Sequence, residues 1–519
     1  MGPQPATPAA ADGAEGAAQI GPLSPTLRRG AVISAGTLVM VQAISLASTL
    51  WLARLLSPAE VGIYVAATVL TGFLVMFSES GLYVALIQRE RDVEDAADTV
   101  FWATAVNGVL MSLLALAAAP VVGLVFRSEL VGQIAAITSG MLLMHSLTNV
   151  PDALMQRRFN FKRRLIIDPC RAFAYAAVAV GLAAAGFGVW SLVIGNYVSL
   201  AVWLIGAWVL ARWRPGRGRP SLRLWRELAR FGYPILILNV VDHTRQAVEA
   251  TLVGRILGAT SLGYYRYGRR LGLIPATAIV EIGSYVLLPA FSRLAGDPER
   301  LKRAFLRALR WIWFAAAPVT ALVVGLGEPA VVVLLGERWR GAGVFLVAMA
   351  GYGLGMALHF LSSEVIKGSG RSSLLNWQSV INLPLGVGLV IALLPFGLVG
   401  VGLAISITEI TLAVLMLGLA RTVIGCSIGE LLRRLVPALI ASLVALAVVA
   451  PLEHVIIHAD QRPLGIGLAL LGLETVGFAL VYLAALRLVD SSIITDLTGE
   501  ARSLLARRRR RNPTEASSP

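Results

Sequence analysis

Apolar runs of close to 20 residues, with few or no charges, recur along almost the whole chain, separated by short polar or basic interruptions. A helix needs about 20 residues to cross roughly 30 Å of hydrocarbon, so each run is long enough to be a span. The pattern predicts spans near 30–53, 61–80, 99–126, 131–150, 166–185, 189–210, 234–256, 264–288, 305–327, 342–364, 373–396, 399–420, 435–452 and 464–487. None shows the period-2 alternation of a membrane barrel, and most connections are short enough to make neighbours antiparallel. The expected fold is an all-α polytopic membrane protein of about 14 transmembrane helices.

The pattern also repeats at long range. Arg54-Leu55-Leu56-Ser57-Pro58-Ala59-Glu60-Val61-Gly62-Ile63-Tyr64 returns about 200 residues later as Arg255-Ile256-Leu257-Gly258-Ala259-Thr260-Ser261-Leu262-Gly263-Tyr264-Tyr265. Glu227-Leu228-Ala229-Arg230, with Pro234 following, returns as Glu430-Leu431-Leu432-Arg433, with Pro437 following. Unit starts near 27, 228 and 431 divide the helices as six, six and two. Six is even, so both large units begin on the same side: two six-helix lobes as parallel repeats, plus two extra C-terminal helices. The expected parts are a disordered cytoplasmic lead at 1–27, an N-lobe at 28–220 and a C-lobe at 221–425. Helices 13 and 14 occupy 426–489, and a basic cytoplasmic tail follows at 490–519. Leu224, Trp225, Leu228 and Phe231, with Arg223, Arg226 and Arg230 beside them, suit a short interfacial helix ahead of span 7.

Composition agrees, with 57% apolar and 14% charged residues in 519. Charge adds an orientation. With the amino terminus inside, the cytoplasmic segments hold 34 of the 45 Lys and Arg residues, which is the distribution basic loops impose. The net charge of +15 is then topology, and no nucleic-acid partner is needed to explain it. Both termini are expected in the cytoplasm. Cys170 and Cys426 are too few and too far apart to suggest a disulfide framework or metal site, and no cofactor is expected.

Several boxes carry a family resemblance: the Arg54 to Tyr64 and Arg255 to Tyr265 boxes, Phe77-x-x-x-Gly81-Leu82 running to Gln88, and Arg158-Phe159-x-Phe161-Lys162. Others are Gly186-Phe187-Gly188-Val189-Trp190, Phe231-Gly232-x-Pro234, Leu288-Pro289-Ala290-x-Ser292-Arg293 and Leu335-Gly336-Glu337-Arg338-Trp339. Their order and spacing over roughly residues 28–425 resemble the Wzx-type flippases of lipid-linked oligosaccharides. These belong to the superfamily that also holds peptidoglycan-precursor flippases and multidrug and toxin extruders. The resemblance implies a two-lobed transporter that moves an undecaprenyl-pyrophosphate-linked glycan across the bilayer by alternating access, with H⁺ or Na⁺ as coupling ion. It also implies polymerase or glycosyltransferase partners, and a groove for the lipid tail on helices 13 and 14.

Such cargo needs a polar, cationic path. Asn239, Asp242, Gln246 and Glu249 share one face of helix 7, and Arg245 can pair with Asp242 or Glu249. Helix 8 carries Arg266, Arg270, Thr277, Glu281 and Ser284 in a stripe, with Arg269 beside it. A charge near mid-bilayer costs roughly 2.5–3.5 kcal/mol on insertion scales, so these stripes should face water or a partner helix. Arg245, Arg266, Arg269, Arg270 and Arg255 are the candidate pyrophosphate-binding residues; Asp242, Glu249 and Glu281 are the candidate coupling or gating carboxylates. The bland alternatives are a self-neutral ion triad on helix 7 and arginines that snorkel to the outer interface. Helices 1 and 2 are far less charged, which predicts a neutral amino wall facing an ionic carboxy wall. Glu409 and Glu474 read as lone carboxylates, and His145 and His359 as isolated. An ion-coupled drug exporter of the same fold is the closest rival function. A membrane-embedded polymerase or glycosyltransferase should display a larger outer loop than the longest here, at 453–463.

Overall fold

The computed structural model describes residues 25–79, 81–157 and 162–490, and every regular element among them is a helix. Most of the expected lead and tail, and Arg158, Phe159 and Phe161, lie outside the described residues. The first half comprises α1 (Pro25–Leu55), α2 (Pro58–Glu79), α3 (Leu82–Gln88), α4 (Val93–Phe126), α5 (Glu129–Thr138), α6 (Gly140–Arg157), α7 (Lys162–Ala184) and α8 (Val189–Ala211). The second comprises α9 (Leu222–Leu252), α10 (Gly258–Leu294), α11 (Pro298–Leu335), α12 (Arg340–Ala348), α13 (Gly351–Gly368), α14 (Asn376–Leu393) and α15 (Gly397–Ile424). Then come α16 (Ile428–Pro451) and α17 (Leu464–Val489), which pack on α11.

Among the described residues, ten candidate spans are long and apolar enough to cross a membrane, or eleven if the bent pair α12 and α13, meeting at 41°, is one span. That is fewer than the sequence pattern predicts. α9, at 31 residues, has the length but is interrupted by charged and other polar residues, and α10, at 37 residues, holds an apolar run at 271–288 that includes side chains outside the described residues. The 53 residues Ser372–Ile424 count once, although α14 and α15 pack on each other across the break at Leu394–Phe396.

The halves choose partners alike. α1 packs on α7 as α9 packs on α14; α4 packs on α5 and α6 as α11 packs on α12 and α13; α6 packs on α8 as α13 packs on α15. Even the breaks correspond, α5 giving way to α6 at Ser139 as α12 gives way to α13 at Met349 and Ala350. Each break frees carbonyls that hydrocarbon cannot solvate, and in each a serine from a neighbouring helix takes one: Ser112 donates to Ser139 O at 2.9 Å and Ser406 to Ala348 O at 2.8 Å. The segment joining the halves is pinned to α4. The fully buried Asp98 carboxylate accepts the backbone N–H groups of Gly216 and Gly218, and Asp95 accepts that of Arg219 at 2.8 Å.

One expectation changes. The basic amphipathic stretch at 222–231 is not a separate interfacial helix but the first turns of α9. Gly232 continues that helix because its lack of a side chain lets α9 meet the backbone of Gly81 directly.

Candidate functional site

The halves touch at two levels. At one end the twin boxes meet each other: a Cβ on Gly62 would overlap the carbonyl of Ala259, and one on Gly263 that of Pro58. These are equivalent box positions exchanged, an approximate two-fold contact made by the two repeats. Beside it Arg54 donates to the carbonyls of Val333 (2.9 Å) and Leu334 (3.2 Å) at the end of α11, and Trp339 Nε1 donates to Ala53 O at 2.6 Å. At the other end Gly81 meets Gly232, and Arg89 pairs with Glu227 at 2.5 Å.

Between these levels lies a cavity of about 350 Å³. The first half lines it with α2, α6 and α8, through Tyr64, Thr68, Thr71, His145 and Asn196 among others; the second with α9 and α10, through His243, Gln246, Tyr265, Arg266 and Arg269. Tyr64 and Tyr265 are the last residues of the twin boxes. Tyr64 Oη accepts from Asn196 Nδ2 at 2.5 Å, whereas Tyr265 Oη donates to Glu249 Oε2 at 3.0 Å and accepts from Arg269 at 2.7 Å. Glu249, 1% exposed, is also ion-paired to Arg245 and, at 2.7 Å, to Arg269. One carboxylate thus holds two guanidiniums that would otherwise be costly to bury. Gly386 on α14 leaves room for the Arg245 stem, its Cβ position lying 2.9 Å from Arg245 Cδ.

Arg266 differs from its neighbours, since it lines the cavity and makes no hydrogen bond or ion pair among the described residues. Arg269 lies on the wall between this cavity and a second, of about 320 Å³, inside the second half; Arg245, His359, Lys367 and Glu409 also line the latter. Arg270 reaches across to the first half, donating to Ser45 Oγ at 2.6 Å. Arg255 is exposed on the π-helical turn Val253–Leu257 that ends α9, and it lines neither cavity. The side chains of Asp242 and Glu281 lie outside the described residues.

Some residues escape the sequence reading. His359 and Glu409 are not isolated, because Nδ1 and Oε1 lie 2.8 Å apart between α13 and α15. Glu474 is not alone either, since the buried Glu453 lies near it, although neither Glu474 carboxylate oxygen has a hydrogen-bond partner among the described residues. The first half is not free of charge. Asp152 accepts from Tyr83 (2.7 Å) and Trp203 (3.2 Å), and the Arg171 guanidinium stacks 4.6 Å from the centroid of Trp203. These two charges stand behind the cavity wall; those that line the cavity belong to the second half. A count of charges within and just beyond spans 131–150 and 166–185 would have found both.

This helical membrane protein, with two similarly packed halves around a polar cavity, has the fold of the superfamily of multidrug, oligosaccharidyl-lipid and polysaccharide exporters. It is similar to the inward-closed conformation of the lipid II flippase MurJ, with a TM-score of 0.73 and 15% identity over 89% of this chain and 100% of that one. It is also similar to an inward-facing multidrug-resistance transporter of the MATE family, with a TM-score of 0.62 and 16% identity over 76% of this chain and 98% of the other. Within that superfamily the chain belongs to the polysaccharide biosynthesis protein family, whose model matches residues 51–343. The succinoglycan biosynthesis transport protein ExoT of Rhizobium meliloti (strain 1021) is 28% identical over 476 residues, which are 90% of this chain and 93% of that protein.

Proposed function

We propose that this protein is a flippase that carries an undecaprenyl-pyrophosphate-linked oligosaccharide from the inner to the outer leaflet of the bacterial cytoplasmic membrane, for surface polysaccharide synthesis. It does so as a transporter, without chemical turnover of the glycan. The observation that carries the reading is Arg266, a guanidinium set in a cavity between the halves and, among the described residues, without a bound anion or hydrogen-bond acceptor. Such a group suits a diphosphate, whose oxygens accept bidentate hydrogen bonds. Arg269 can join it when Glu249 lets go.

In this reading the chain crosses fourteen times. α9 and α10 are spans 7 and 8, with Arg245, Glu249 and Arg269 turned to each other and Arg266 to the cavity; α2 with α3, α5 with α6 and α12 with α13 each make one broken span. The lobes are 28–220 and 221–425, with 426–489 as an added pair. Basic loops put both termini in the cytoplasm. The box contact then closes the outer end, and the Gly81–Gly232 contact joins the lobes at the inner end. Alternating access separates one contact while keeping the other, as rigid-body rocking requires. Glu249, already shared by Arg245 and Arg269, is the carboxylate through which a coupling H⁺ or Na⁺ would release arginine for cargo.

A deletion strain tests this. Undecaprenyl-pyrophosphate oligosaccharide should accumulate on the inner leaflet, and purified protein in liposomes should restore its movement. An unchanged lipid-linked pool, together with export of an amphipathic cation, would replace this reading by the drug-exporter one.

A further inference from the structure

Beside the polar cavity, and sharing Val69, Phe73 and Ala247 with it, an apolar groove of about 490 Å³ runs between α2 and α4 of the first half and α9 of the second. Val121 and Val125 on α4 face Val248 and Leu252 on α9 across it. Two threonines line it as well, but their hydroxyls are already used within α9: Thr244 donates to Val240 O at 2.6 Å and Thr251 to Ala247 O at 2.7 Å. The groove is thus a hydrocarbon surface joined edge to edge with a polar chamber.

A lipid-linked glycan has the same division. Its diphosphate and sugars cannot enter hydrocarbon unpaired, and each methylene of its chain gains about 0.8 kcal/mol by staying out of water. Head and chain are covalently joined, so the two compartments must adjoin and move together. We propose that this groove holds the first isoprene units of the cargo's polyprenyl chain while the diphosphate occupies the adjoining cavity. The inference rests on the proposed lipid-linked cargo. Both halves line the groove, so it follows the seam along which they part and needs no helix to be crossed. It runs toward the ends of α4 and α9, at Phe126 and Leu252, which in the proposed orientation lie in the outer leaflet where the chain is delivered. The tail groove expected on helices 13 and 14 is a different place, since α16 and α17 pack on α11.

The test uses full-length protein in liposomes with undecaprenyl diphosphate carrying a diazirine on its first isoprene units. After photolysis the label should map to residues 118–126 and 244–252. Excess unlabelled undecaprenyl diphosphate should lower it at least tenfold, and excess phosphatidylglycerol should not. Label on α16 and α17 would overturn the proposal, as would equal displacement by phosphatidylglycerol, which would make the occupant a phospholipid chain. Filling the groove with Val121→Trp and Val248→Trp, or with Val125→Phe alone where the double variant does not insert, should slow translocation of the lipid-linked glycan at least tenfold while binding of inorganic pyrophosphate persists. Unchanged translocation in a correctly inserted filled variant overturns the groove and leaves the cargo reading intact. Wild-type protein that moves no lipid-linked glycan removes the cargo reading, and the groove's role with it.

Discussion

Tyr64 and Tyr265 end the same sequence box, about 200 residues apart, and face one cavity from opposite walls. Tyr64 is bonded to the neutral Asn196; Tyr265 is bonded to Glu249 and Arg269. The repeat thus conserves position while the surroundings set the chemistry. The first-half wall offers shape and neutral polar groups, whereas the second-half wall holds its charge in ion pairs around Glu249.

The ionic wall is the place to break that contrast hardest. Glu249→Ala leaves Arg245 and Arg269 buried without their shared carboxylate and should cost about 3–5 kcal/mol, read as a lowered melting temperature in detergent. Adding Arg245→Leu should recover a good part of the loss. A single variant as stable as wild type would mean that the triad does not hold α9 to α10. The tyrosines give the next largest effect. Tyr265→Phe removes hydrogen bonds to charged groups and should cost about 1.5–3 kcal/mol, against about 0.5–1.5 for Tyr64→Phe, whose partner is neutral. Equal costs would erase the difference between the walls.

Much of this was legible in the chain. The boxes, the spacing of apolar runs and the charged stripes gave the helices, the duplication and the ionic carboxy wall. What escaped depended on contacts between distant segments. Glu227 and Glu430 occupy matching positions, yet Glu227 pairs with Arg89, while Glu430 closes a capping box with Ser427 and pairs with Lys302 at 2.9 Å. No local pattern distinguishes them. His359 and Glu409 are likewise 50 residues apart and meet only because α13 packs on α15. Arg255 is a cavity candidate by its sequence, where its box also reads as a tight turn, and in the structure it is exposed on the π turn at Val253–Leu257.

Arg266 separates recognition from stability. Among the described residues it makes no hydrogen bond or ion pair, so Arg266→Ala should leave the melting temperature unchanged within about 0.5 kcal/mol of stability. Transport of the lipid-linked glycan should fall at least tenfold, about 1.4 kcal/mol of binding or transition-state free energy. Asn196→Ala on the opposite wall should cost transport less than Arg266→Ala. The reverse order would move cargo recognition to the neutral wall and take the anion site with it.

The smallest effect concerns the first residue of each box, and it sharpens the comparison because the residue type is identical. Arg54 spans the two halves, donating to two carbonyls that the end of α11 leaves without helical partners; a cation there also meets the negative end of the helix dipole. The turn that carries Arg255 lies beside the end of α4, where Gly254 meets Phe126, but Arg255 makes no hydrogen bond or ion pair among the described residues and is exposed. Arg54→Ala should therefore cost about 1 kcal/mol, while Arg255→Ala should stay within about 0.5 kcal/mol of wild type. Thermal melts of the two variants, prepared in the same detergent, decide it. If both cost the same, the bond to α11 contributes nothing in the lipid-free protein and the box arginines act alike. If Arg54→Ala also alters the rate of glycan movement more than its stability, the Arg54 to α11 contact belongs to the outer closure, since it is made beside Gly62 and Gly263 and must part when that end opens.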